Sequence, residues 1–170
     1  MDTSMVVGRL IHILAGVFWV GAMVFVTVFL IPAIRETGPD GGKVMAALTR
    51  RRFMQVMPVI ALLTILSGLH LLGKVSNGFE VGYLRSGPGH AYGIGGGLAI
   101  LAFIIGIAVT RPAMIKAVKL AESAASADDD ERAVIMAKAQ AMRARGARAG
   151  VIVAWLLVLS TIGMAVGRYV

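Results

Sequence analysis

Four stretches of the chain carry no Asp, Glu, Lys or Arg: Leu10 to Ile34, Phe53 to Gly73, Ser86 to Thr110 and Ala149 to Gly167. A helix needs about 20 mostly apolar residues to cross the hydrocarbon core of a bilayer. No water reaches backbone groups there, so each stretch must satisfy its own amides and carbonyls, and each predicts a helix. The third opens with a Gly/Pro-rich segment, which places the start of its spanning part near Tyr92. The pattern predicts spans at about 8–34, 53–74, 91–111 and 148–168. The fold class is therefore all-α, an integral membrane four-helix bundle. The first stretch exceeds the roughly 7–15 apolar residues of a signal-peptide core, so it reads as a permanent span.

The segments between the spans are patterned too. Residues 112–147 predict a helical hairpin that extends spans three and four beyond the membrane. Ala113 to Ala127 is alanine-rich and helix-forming. Asp128, Asp129 and Asp130 then supply an N-cap and dipole-matched acids for a helix that continues into span four. Ile115, Val118, Ile135 and Met142 recur at helical spacing, with alanines expected at the seam. Pro39, Asp40, Gly41 and Gly42 predict a turn. Pro58 lies inside span two and is expected to free the carbonyl near Met54 and kink the helix. Pro112 is expected to bend the chain where span three ends.

Composition then narrows the classes. Hydrophobic residues make up 58% of the chain and charged residues 15%, too little charge to cover a soluble surface. The formal net charge of +8 would suit nucleic acid, but the charges sit between long apolar runs, so no nucleic-acid partner is expected. Cysteine is absent, which excludes disulfides, thiolate metal sites, iron–sulfur clusters and covalently attached haem. Thirteen of the seventeen Lys and Arg residues lie in the two segments that join span one to two and span three to four. By the positive-inside rule those segments face the cytoplasm, and both termini lie on the outer side. The run Arg143 to Arg148 is placed at the inner lipid headgroups.

Candidate chemistry rests on three histidines. His12 is near the start of span one, His70 near the end of span two and His90 at the start of span three. Ionisable residues within spans are costly and point to function. Neutral imidazoles on facing helices can ligate haem iron or copper. His12, Gly16, Trp19 and Met23 share one helical stripe, with Gly16 one turn from the histidine, where a flat macrocycle would need room. His12 and His70 are thus the expected axial pair of a b-type haem, with Gly16 and Trp19 on the same face as candidate cofactor-binding residues and His90 as a spare ligand. The plain alternative is that all three serve helix packing or the interface. Gly93 and Gly97 form one GxxxG pair, with Gly95 and Ala99 parallel to it, and Gly163 and Gly167 form another. Both suit close helix packing, within the bundle or against another subunit. The spans hold no Asp or Glu, and no HExxH or phosphate-binding loop occurs, so any enzyme chemistry would come from a cofactor.

The segment Leu10-Ile11-His12-Ile13-Leu14-Ala15-Gly16-Val17-Phe18-Trp19-Val20-Gly21 resembles the opening helix of the CopD-like small bacterial membrane proteins, with their HxLAxxxWVG-type signature. Pro32-Ala33, Gly38-Pro39, Met45 to Arg52, Leu63 to Leu72, Arg111-Pro112-Ala113-Met114 and Gly167-Arg168-Tyr169 extend the resemblance over most of the chain. It implies a four-helix unit of the bacterial inner membrane and, loosely, copper or haem handling. The small membrane protoporphyrinogen oxidases share a similar first-helix histidine. By that resemblance His12 carries over, with Trp19 as a pocket wall.

Two functions follow as expectations. One is a non-catalytic small membrane subunit packed against other subunits, as in a photosynthetic reaction centre or a respiratory assembly, or against itself. The other is a b-type haem or copper protein that handles electrons or metal at the outer face.

Overall fold

The computed structural model describes residues 2–170. The chain forms α1 (Thr3–Glu36), α2 (Gly41–Arg50), α3 (Phe53–Val75), α4 (Val81–Leu84), α5 (Gly87–Ser126) and α6 (Asp129–Val166). Four of these, α1, α3, α5 and α6, are long and apolar enough to cross a membrane. The protein is an all-α, multi-pass membrane four-helix bundle. Side chains start the long helices where amides would otherwise lack partners. The Asp2 carboxylate accepts from the Ser4 amide at 2.9 Å, and that of Asp128 accepts from Glu131 at 2.8 Å.

The bundle is built from two antiparallel pairs. α1 packs along α3, and α5 along α6. The contacts of α3 with α5 and of α1 with α6 close the ring. Packing is inverted in size relative to a soluble core. Leu14, Val17, Ile94 and Trp155 face outward, each at least 65% exposed, while Ala61 and Ala102 are almost fully buried. Lipid solvates large apolar side chains as well as a core does, so close approach of backbones decides what lies inside. Trp19, Val153 and Leu157 complete the central cluster with those two alanines. Between α5 and α6, Gly163 lies against the backbone of Ala91 and Gly95, and the buried Ser160 hydroxyl donates to the Gly95 carbonyl at 2.7 Å.

Beyond the spans, α5 and the first half of α6 continue as a helical hairpin. Its seam is made of small buried residues, Ala113, Ala117 and Ala124 on one side and Ala139, Gly146 and Ala147 on the other. Arg132 fastens the tip. It donates to the carbonyls of Ala124 and Ala127 at the end of α5 and pairs with Asp129 at 3.0 Å.

One local feature departs from the sequence-based expectation. The Gly/Pro-rich start of the third apolar stretch is helical from Gly87, because the Ser86 hydroxyl accepts from the Gly89 amide and Pro88 suits a first turn. The helix runs on through Pro112, as the expected extension of span three into the hairpin requires. A π-helical segment, Gly106–Thr110, precedes the proline, in which the Arg111 amide bonds five residues back to Gly106. The wider turn relieves the clash between the proline ring and the preceding turn. α1 repeats the device: Val26–Leu30 is π-helical, Ile31 bonds back to Val26, and Pro32 follows.

Candidate functional site

The histidines belong to the seam between α1 and α3. His12 Nδ1 lies 2.8 Å from the Thr64 carbonyl. A carbonyl only accepts, so Nδ1 carries the proton and, in the neutral ring, the lone pair resides on Nε2. The imidazole fits a notch opposite Gly68, where an added Cβ would come within 2.8 Å of its Cε1. The arrangement is reciprocal. His70 of α3 lies against Gly8 of α1, where an added Cβ would meet His70 Cδ2 at 3.1 Å. Each helix thus offers a glycine to the other's histidine, about one turn apart along the seam.

This places the expected pair on one seam, but in two separate notches. His12 is half-buried and His70 exposed. Beside Gly16, the space expected for a macrocycle is taken by the Thr64 methyl, 3.5 Å from where a Cβ would stand. Trp19, 4% exposed, belongs to the central cluster rather than to a wall beside the histidines. His90 is exposed in the first turn of α5. Among the described residues no three His, Cys, Asp or Glu side chains gather in a metal-holding group.

The glycine motifs divide by direction. Gly163 and Gly167 face inward, onto Ala91 with Gly95 and onto the Tyr92 ring respectively. Gly93 and Gly97 face outward and meet nothing within 4 Å. At the parallel position, Gly95 packs inside the bundle against Ser160 and Met164.

One cavity inside the bundle has no histidine in its wall. It has a volume of about 90 Å³, is partly open, and draws its walls from all four spans and α2. The central cluster residues Trp19, Ala61, Ala102 and Val153 close its deep end. Toward the hairpin end it is bounded by Met45 of α2, Phe53, Arg111 and Met114. Five methionines line it: Met23, Met45, Met54, Met57 and Met114. Pro58 is also in the wall, one turn from Met54. Pro58 has no amide to offer the Met54 carbonyl, and Arg111 Nε donates to that oxygen at 2.9 Å instead.

Comparison with protein-family models, curated proteins and solved structures finds no match for this chain.

Two hydroxyls complete the cavity. Thr27 and Thr110 both line it, and their Oγ1 atoms are buried without a hydrogen-bond partner in the protein. Thr49, Thr64 and Thr161, also in helices, donate to the carbonyl four residues back. Thr27 and Thr110 differ because each sits in a π-helical segment. A signal for this site was present in the sequence. The stripe through Trp19 and Met23 continues to Thr27, and Gly106, Thr110 and Met114 repeat at four-residue spacing on α5. Proline-induced widening was needed to turn those stripes into a shared cavity.

Proposed function

We propose that this protein is a non-catalytic membrane subunit that docks other membrane helices on the outward face of α5, its partners being further subunits or a second copy. The observation that carries the reading is the outward, open placement of Gly93 and Gly97. They stand one turn apart on a helix whose opposite side, at Gly95 and Ala102, is already used inside the bundle. Two such glycines let a foreign helix approach to backbone distance, where van der Waals contact and weak Cα–H bonds hold it. Apolar stretches without Asp or Glu support the same reading. We place the protein in a bacterial inner membrane with both termini outside, on the strength of the arginine-rich hairpin end.

Replacing both outward glycines tests the docking face. The Gly93→Leu/Gly97→Leu variant, purified in mild detergent, should keep its helicity and lose any stoichiometric membrane partner that accompanies the parent protein. Retention of that partner by a folded variant contradicts the reading.

A second reading is favoured by one observation. The Nδ1–H to carbonyl bond fixes the ring of His12 and leaves Nε2 as the basic nitrogen, as in histidines that bind metals. With the first-span resemblance to CopD-like proteins, this supports haem b or copper binding through His12. A b-type Soret band, or bound copper in the isolated chain, lost on His12→Ala, would establish it.

A further inference from the structure

The polar groups around the methionine-lined cavity form a consistent set. Arg111 lines it, spends Nε on the Met54 carbonyl, and forms no ion pair among the described residues. Its guanidinium has further N–H donors beyond that one bond. Thr27 and Thr110 add two buried hydroxyls without partners. A buried polar group without a partner costs free energy, so an unpaired set like this marks a place where a ligand atom is favoured. The set holds one positive charge and donors to spare, with no carboxylate to balance it. It suits a singly charged, acceptor-only group. The rest of the wall is apolar and sulfur-rich, with thioether side chains that adapt to irregular hydrocarbon.

We propose that this cavity binds an amphipathic carboxylate of the fatty-acid class, its head met by Arg111, Thr27 and Thr110 and its first carbons lying among the methionines. The size fits that division. A volume of about 90 Å³ holds several water-sized groups, enough for the head and a few methylenes, and the chain continues through the open side. The two π-helical segments have a role in this account. By removing Thr27 and Thr110 from their own helix carbonyls, they leave two unpaired hydroxyls in the cavity wall, just beneath its surface.

Trp19 stands at the deep end of the cavity and reports on it once Trp155, the other tryptophan, is changed to Phe. The Trp155→Phe protein in phosphatidylcholine nanodiscs is titrated with 5-doxyl-stearate, whose nitroxide quenches tryptophan. The expected result is saturable quenching that hexadecanoate competes away and that the methyl ester of 5-doxyl-stearate does not reproduce. Adding Thr27→Val and Thr110→Val preserves shape and the Arg111–Met54 bond, and should weaken apparent affinity by about tenfold or more. Circular dichroism confirms that this variant is folded. Quenching that rises linearly without saturation, equal quenching by the ester, or unchanged affinity in the folded threonine variant overturns the proposal. Tighter competition by phosphatidylglycerol than by hexadecanoate also overturns it, and assigns the site to a lipid headgroup.

Discussion

Arg111 of α5 donates through Nε to the Met54 carbonyl of α3 at 2.9 Å, replacing the amide that Pro58 cannot supply. Within a bilayer a freed carbonyl has no water to turn to, so a proline in one span calls for a donor from another. The contact joins the two helix pairs of the bundle near the hairpin end, and it holds a cationic side chain beside the cavity.

The first prediction follows from that exchange. Arg111→Met should destabilise the bundle by about 1.5–3 kcal/mol, the range for a hydrogen bond to a charged donor. Adding Pro58→Ala restores an amide four residues beyond Met54, so the double variant should lose less than the single one. Unfolding in mixed detergent, followed by circular dichroism, measures both. Strict additivity of the two changes would show that Arg111 does not replace the missing amide.

The seam between α1 and α3 gives a contrast between glycines. Gly68→Ala places a methyl within 2.8 Å of His12 Cε1, and the ring is held in place by its bond to Thr64. We expect a loss of about 1–3 kcal/mol, the cost of overpacking a fitted site. Gly93→Ala meets nothing within 4 Å and should leave the isolated chain as stable or slightly more so, since alanine gains about 0.5–1 kcal/mol over glycine in a helix. Equal losses at the two positions would refute the notch.

At the end that carries the termini, α1 and α3 are also tied by Lys74 and Asp2, 3.2 Å apart. Bonds from Ser4, then Lys74, lower the Asp2 carboxyl from 3.8 to about 2. A depressed carboxylate contributes stability that is fully present above its unfolded value and is lost as pH falls toward the folded one. The tie should therefore hold from neutral pH to near 4 and disappear as pH approaches 2. A carbon-13 titration of the Asp2 carboxyl should give a midpoint near 2; a midpoint at 3.8 would show that the tie does not form in solution.

Much of the fold was readable from hydropathy alone. The four charge-free stretches define the spans because a bilayer admits few alternatives for an apolar run of that length. The Asp128 cap and the alanines of 113–147 define the hairpin, since both act through local geometry. The orphan carbonyl at Met54 was also legible from Pro58. Its partner was not, because no periodicity in α3 indicates which residue of α5 lies opposite. The same holds for the cavity. Thr27 and Thr110 look like ordinary helical threonines until the π-helical segments ahead of Pro32 and Pro112 remove them from their own carbonyls. The histidines stand out in the sequence as ionisable side chains close to the span ends. Only tertiary contact reveals that His12 and His70 each fill a glycine notch on the opposite helix. In the GxxxG pairs the sequence shows spacing without direction, and a shift of two residues separates the inward Gly95 from the outward Gly93 and Gly97.

The most direct test of the subunit reading is purification of the protein from its native membrane in mild detergent, with spectra recorded oxidised and then dithionite-reduced and a gel of all that accompanies it. The expected result is stoichiometric partner subunits on the gel and no b-type Soret or α-band belonging to the isolated chain. Such bands in the isolated chain, lost on His12→Ala, would contradict it and make the protein a haem carrier.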